Sequence, residues 1–259
     1  MGTILTQIIT IGNEKGGAGK STISVHVAIA ALKAGHNVAV LDLDIRQQSF
    51  AHFLENRQQW SEAKDIQLPQ PDIFKLDESK IEDEEFIKNV IEEAVSTHDY
   101  LIIDTPGANS TASRIAHGLA DKIITPMNDS FVDFDLLAKV DPVSGEVTGL
   151  NFYANQIWEA RKNKAMQHKK HLEWFILRNR LSTVEARNKR KVGDALDSIS
   201  KRLGFKIVPG LSERVIFREL YPMGLTLLDL EAKIPEITMS ISHVAARQEL
   251  RDMLAMIGI

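Results

Sequence analysis

Short, largely apolar runs without strict alternation recur along the chain. Ile8, Ile9 and Ile11 lead into a cluster of glycines, Val38-Ala39-Val40-Leu41 ends at Asp42, and Tyr100-Leu101-Ile102-Ile103 ends at Asp104. Lys122-Ile123-Ile124 before Pro126, Trp174-Phe175-Ile176-Leu177 before Asn179, and Lys206-Ile207-Val208 before Pro209 continue the series. A strand buried on one face alternates apolar and polar residues, whereas continuous apolar runs suit parallel strands covered on both faces; roughly six such strands are predicted. Between them the spacing turns helical, over Ser21 to Ala34 closed by Gly35, Glu82 to Ser96, and Thr183 to Leu203 closed by Gly204. This alternation predicts right-handed crossovers in a doubly wound, mostly parallel α/β sheet with helices on both faces, built as one domain over residues 1–259. The polar segment Ser61 to Ser79, with Pro69 and Pro71, reads as a long excursion within that domain.

Composition narrows the chemistry. At 259 residues, 44% hydrophobic and 25% charged, the chain can bury a substantial core. It has no cysteine, which excludes a disulfide framework and any thiolate-held zinc or iron–sulfur cluster and leaves histidine-held metals or oxygen-ligand metals such as magnesium. The first residues show no basic, cleavable leader and no apolar run approaches membrane-spanning length, so a cytoplasmic protein that does not use the membrane is expected. The net charge of −4 is unevenly spread: Glu62 to Asp99 carries twelve acidic and four basic residues, Arg178 to Arg202 eight basic and three acidic. Either run suits a solvated helix face, and the basic one also suits a polyanion.

The glycine cluster carries the strongest chemical signal. In Glu14-Lys15-Gly16-Gly17-Ala18-Gly19-Lys20-Ser21 a glycine-rich turn lies between a buried strand and a helix, where bare backbone N–H groups and the helix dipole favour phosphate. Lys20 is placed to reach the β- and γ-phosphates of ATP and Ser21 to hold Mg2+, with Gly16 to Thr22 wrapping the phosphate chain. The pattern G-x-x-x-x-G-K-[ST] fails at one position, because Glu14 stands where its first glycine belongs. Ligands of open α/β sheets bind at the carboxyl ends of the strands, where Asp42-Leu43-Asp44 and Asp104-Thr105-Pro106-Gly107 stand. Aspartates there also serve as helix caps.

That irregular loop resembles the deviant Walker A motif of the ParA/MinD superfamily of P-loop NTPases. Further segments, among them Ile45-Arg46-Gln47 after Asp44, Asn13-Glu14, Thr125 to Asp135, Glu185-Ala186-Arg187-Asn188, Arg218-Glu219-Leu220 and Gly224 to Leu230, make nearly the whole chain similar to the MipZ family of division-plane positioning ATPases. The resemblance implies ATP and Mg2+ as cofactors and slow ATP hydrolysis. It implies that Lys15 reaches across a homodimer to the partner's nucleotide, that Asp44 orients the attacking water, that Asp42 and Asp104 lie at the magnesium, and that Asn179 contacts adenine. It further implies a ParB-like protein, nonspecific DNA and FtsZ as partners, with inhibition of FtsZ polymerisation and association with the nucleoid.

The DNA expectation can be weighed on residues. In the predicted helix Thr183 to Leu203, the residues Val192, Ala195, Leu196, Ile199 and Leu203 repeat at spacings that face a core, so Arg187, Arg190 and Lys191 project away from it. Arg214 and Arg218 are further candidates that serve equally well facing nucleotide or pairing with a carboxylate. A ParA-type partitioning ATPase and a P-loop metabolic ligase are the alternatives. A MinD-type membrane ATPase fits less well, because Arg247 to Ile259 mixes Arg247 and Arg251 with Glu249 and Asp252 and has the apolar spacing of a packed helix.

Overall fold

The computed structural model describes residues 6–141, 147–169, 171–181, 186–231, 237 and 239–259. The predicted runs fold as β1 (Gln7–Ile11), β2 (Val38–Asp42), β4 (Tyr100–Asp104), β5 (Lys122–Asn128), β8 (Glu173–Asn179) and β9 (Phe205–Val208). With β3 (Asp72–Phe74) they form a seven-stranded parallel sheet in the order β3-β2-β4-β1-β5-β8-β9. The period of two along each strand divides the core. Val38, Val40 and Ile102 pack with α1 (Lys20–Lys33), α2 (Ser49–Lys64) and α9 (Ile241–Ile257) on one face. Their neighbours Ala39, Leu41, Leu101 and Ile103 meet α3 (Glu84–Thr97) and α4 (Thr111–Leu119) on the other. Ile123, Met127, Trp174 and Ile176 pack in the same alternation against α6 (Phe152–His168) and α7 (Ala186–Leu203). The fold is thus the doubly wound α/β sheet that continuous apolar runs demand.

Several elements depart from the sequence expectation. The predicted excursion Ser61 to Ser79 holds the last turn of α2, the short edge strand β3 and a 3-10 turn over Glu78–Lys80. Its polarity follows from position: β3 lies at the sheet edge with Asp72 and Ile73 exposed, and α2 buries no residue beyond Arg57, only Phe50, Phe53, Leu54 and Arg57. The expected helix Thr183 to Leu203 is described from Ala186 as α7; residues 182–185 lie outside the described residues. An antiparallel pair, β6 (Ala138–Val140) and β7 (Val147–Leu150), follows the short helix α5 (Phe131–Phe134).

A buried ion pair ties two distant segments together. Arg57 of α2 is fully buried and donates to Asp229 at 2.8 and 3.0 Å, to the Gly224 carbonyl at 3.0 Å and to the Pro69 carbonyl at 3.0 Å. Burial alone would raise the Asp229 pKa. The Arg57 hydrogen bonds and charge, with the Thr226 backbone and hydroxyl donors, hold it below the usual value. The segment from Gly224 to Asp229 that resembles the family is thereby pinned beneath the carboxyl end of α1 and beside α2, where Lys33 also lies 3.4 Å from Asp229.

Candidate nucleotide-binding site

The glycine loop leaves the central strand β1 and enters α1. Gly19 caps that helix with φ 91° and ψ 22° and no side-chain cap, so the first N–H groups of α1 have no side-chain acceptor. A Cβ at Gly19 would sit 2.2 Å from the Asn179 amide nitrogen, which itself donates to the Ala18 carbonyl at 2.8 Å. Left-handed backbone and close approach both require glycine there. The loop's other wall is held by Asn13, whose amide donates to the Pro126 carbonyl at 2.5 Å and whose oxygen accepts from the Lys15 N–H at 2.7 Å. A Cβ at Gly107 would meet the Gly16 backbone nitrogen at 3.1 Å, so the turn after β4 lies directly against the loop.

Lys20, Ser21, Thr22, Gly16, Gly17 and Gly19 line one cleft together with Asp44, Gln47 and Ser49. Lys20 is 7% exposed, and its ammonium donates to the Lys15 carbonyl at 3.1 Å. Burial lowers its pKa, while the nearby Asp104 and Asp44 carboxylates act in the opposite direction. Asp104 is buried; its Oδ1 accepts from the Ser24 hydroxyl at 3.1 Å, and its Oδ2 is buried without a hydrogen-bond partner. Burial first, and then the neighbouring Asp42 carboxylate, raise the Asp104 pKa to about 7 against the pull of Ser21, Lys20 and Ser24. An orphan carboxylate oxygen beside a hydroxyl is an unsatisfied place for a hard cation, and magnesium needs few protein ligands when phosphate oxygens complete its shell. Asp104 and Ser21 therefore fit Mg2+.

Asp42 stands level with Asp104 in the register of β2 and β4, but its oxygens have work of their own. They accept from the N–H groups of Asp44 at 3.0 Å, Phe50 at 3.1 Å and Ala51 at 3.2 Å, capping the start of α2. The cap reading weighed from the sequence describes this carboxylate's contacts. Its remaining influence on the cleft is its charge beside Asp104.

Lys15 is the loop residue that the structure directs elsewhere. Its ammonium donates to the Val132 carbonyl and pairs with Asp133 Oδ1 at 3.2 Å, away from the cleft that holds Lys20. Asp133 is buried, and its other oxygen accepts from the Asn128 N–H at 2.7 Å. Sequence reasoning did not foresee this partner, which lies 118 residues along the chain.

On the other side of Gly19 the cleft continues past Asn179 toward Arg214 and Arg218. Both arginines proposed for DNA thus lie in the wall of this cleft and are paired. Arg214 donates to Glu249 at 2.6 Å and to the Ser242 hydroxyl at 2.9 Å, and Arg218 to Glu213 at 2.9 Å. Arg190 and Lys191 are exposed on α7, whose residues Val192, Leu196, Ile199 and Leu203 are buried as their spacing predicts. The Arg187 side chain lies outside the described residues. Arg180 and Tyr221 are among the cleft residues that had no individual role in the sequence reading. Arg180 directly follows Asn179 at a strand's carboxyl end, and that position was the available signal.

Residues 7–259 match the sequence profile of the family described as ATPase MipZ. The chain belongs to the MipZ family. Curated relatives of this MipZ-family chain include an uncharacterized ATP-binding protein of Methanocaldococcus jannaschii, 25% identical over 150 residues, or 50% of this chain and 57% of that protein. Another is the septum site-determining protein MinD of Thermotoga maritima, 28% identical over 49% of this chain and 55% of that one. The chain spans about half the length of these curated relatives. Among solved structures, apo McdA of Cyanthece superposes with a TM-score of 0.65 at 16% identity, covering 98% of this chain and all of that one. The cell division ATPase MinD of Pyrococcus furiosus gives 0.60 at 15% identity, covering 97% and 99%. At such identities the likeness speaks for the fold. No helix among the described residues is long and apolar enough to cross a membrane.

Proposed function

We propose that this chain is a magnesium-dependent ATPase that works as a monomer–dimer switch and places the division plane by inhibiting FtsZ polymerisation, with nonspecific DNA and a ParB-like protein as its other partners. The observation that carries the reading is the division of labour between the two loop lysines. Lys20 is buried in the cleft with Asp44, Ser21 and the partly unsatisfied Asp104, whereas Lys15 projects out of it. One lysine is placed to bind the chain's own nucleotide and the other is free of that task.

In this reading the uncapped N–H groups of α1 and the Lys20 ammonium hold the β- and γ-phosphates. Ser21 and Asp104 hold Mg2+, which supplies charge neutralisation as the γ-phosphoryl group departs. Asp42 fixes α2 and adds charge rather than a ligand atom. Asp44, whose backbone N–H is held by Asp42, orients water in line with the bond that breaks. Asn179 keeps its amide nitrogen on the loop and lines the compartment that would receive the base. Arg187, Arg190 and Lys191 would give DNA affinity without sequence preference, since phosphate contacts carry no base information.

Size exclusion with and without a nonhydrolysable ATP analogue tests the switch, followed by DNA binding and FtsZ assembly on each fraction. The expected result is a dimer only with the analogue, with DNA binding confined to it. A chain that stays monomeric at saturating analogue refutes the switch. Family membership favours this reading over a partitioning ATPase or a metabolic ligase, and a requirement for a small-molecule acceptor in ATP turnover would reverse that preference.

A further inference from the structure

The cleft has two compartments, one against the glycine loop and Asp44 and the other against Asn179, Leu211 and Arg214. Four residues line both: Gly19, Thr22, Arg180 and Tyr221. They form the neck through which a nucleotide must pass if its terminal phosphates occupy the first compartment and its base the second. In a nucleoside triphosphate, the group at that point is the α-phosphate with its ribose ester.

The cations near this neck are already engaged, with one exception. Lys20 donates to the Lys15 carbonyl, Arg214 is paired with Glu249 and Arg218 with Glu213. Tyr221 donates its hydroxyl to the Ser49 carbonyl at 2.9 Å. Arg180 is exposed and has no carboxylate within 4.0 Å among the described residues. An unpaired guanidinium in the neck of a phosphate cleft offers a planar fork of donors to an anionic oxygen pair.

The backbone at Arg180 has φ 51°, in the left-handed region that glycine tolerates best. Asp65 and Lys169 share this conformation at the ends of helices, where left-handed caps are common. Arg180 instead follows a strand, and the chain around it is clamped. The Leu211 N–H donates to the Arg178 carbonyl at 3.0 Å, the Leu181 N–H to the Leu211 carbonyl at 3.0 Å, and the Glu213 N–H to the Leu181 carbonyl at 3.3 Å. The fold holds a strained arginine at the neck where a glycine would be easier, which directs attention to the side chain.

We propose that Arg180 grips the α-phosphate of the bound nucleotide at the neck between the two compartments. The assignment rests on the reading of this cleft as an ATP site and adds to it the residue that recognises the nucleotide's diphosphate–ribose junction. Because ATP and ADP share that phosphate, Arg180 would contribute equally to both.

The local geometry provides a clean test. Arg180→Gly removes the side chain at a φ that glycine prefers, so the variant should fold and melt as the wild type does. Binding of ATP and ADP with magnesium is measured by calorimetry for the wild type, Arg180→Gly, Arg180→Gln and Arg180→Lys. Loss of one charge-assisted contact should weaken ATP and ADP by the same factor, about ten- to hundredfold, with Lys restoring part and Gln little. Unchanged affinity in Arg180→Gly overturns the proposal. So does a loss confined to ATP, which would place the contact at the γ-phosphate. Wild-type affinity in Arg180→Gln also overturns it, because an uncharged contact would then suffice. A wild-type chain that binds neither nucleotide instead refutes the ATP site itself, and the Arg180 assignment with it.

Discussion

Asp104 should make the empty site unstable in a pH-dependent way that magnesium and nucleotide remove. Its pKa lies at about 7 in the folded chain against 3.8 when unperturbed, chiefly because of burial and then because of Asp42. The folded state therefore holds a proton that the unfolded state has released between about pH 4 and 7, and stability from this group is lost as pH rises through that window. A shift of this size corresponds to roughly 4 kcal/mol at most, of which about 2–3 kcal/mol falls between pH 5 and 8. Asp104→Asn removes the titration but keeps the shape and an oxygen for the Ser24 hydroxyl. The new amide leaves a buried donor in place of the orphan oxygen, costing ~1–3 kcal/mol at every pH. The absolute melting point is thus a poor readout and its pH slope a good one. At roughly 2–4 °C per kcal/mol for a chain of this size, the wild type without ligands should lose about 5–10 °C more than Asp104→Asn between pH 5 and 8. Adding Mg2+ with ADP should flatten the wild-type curve and leave the mutant's slope unchanged, and the mutant should lack magnesium-dependent hydrolysis. Parallel ligand-free melting curves for wild type and mutant across this range would refute the perturbed carboxylate, and unchanged magnesium-dependent hydrolysis in Asp104→Asn would refute its assignment to magnesium.

Three further outcomes follow from other contacts. The Lys15–Asp133 pair must break if Lys15 is to serve a second subunit's nucleotide, so Asp133→Asn should shift ATP-dependent dimerisation, followed by light scattering, to ATP concentrations several-fold lower; an unchanged midpoint means that the pair does not restrain the switch. Arg57→Met removes the bidentate partner of the buried Asp229 and leaves it only Lys33 and the Thr226 donors, so urea unfolding should show a loss of about 3 kcal/mol, and a loss below about 1 kcal/mol would contradict the weight given to this pair. Charge reversal at Arg190 and Lys191 together should weaken DNA binding and reduce the magnitude of its log–log salt slope by about 0.9 per lost phosphate contact while leaving dimerisation intact; normal DNA binding sinks that surface.

What the sequence made legible was whatever depends on neighbours along the chain. The buried strands announced themselves because a strand covered on both faces is mostly apolar along its length, and the glycine loop because its strand and helix adjoin it directly. The elements that stayed hidden lack a strong signature for physical reasons. The edge strand β3 has little to bury, and α6 buries Tyr153, Ala154, Ile157 and the charged Lys164 while exposing the apolar Phe152, Trp158 and Met166, so neither shows a clean period. In the site, Lys20, Ser21 and Asp104 could be named because strand ends of one parallel sheet converge. Their duties could not be divided in the same way. Whether an aspartate at a strand end also caps the next helix depends on where that helix starts, and the contacts to Phe50 and Ala51 reveal the cap for Asp42. Asn179 illustrates the same limit over a longer reach. Its place at a strand end suggested a base contact, yet its amide nitrogen supports a loop 161 residues away and fills the space that makes Gly19 necessary. A change at either residue is therefore felt by the other, and Asn179 would affect phosphate binding even if it never touched adenine.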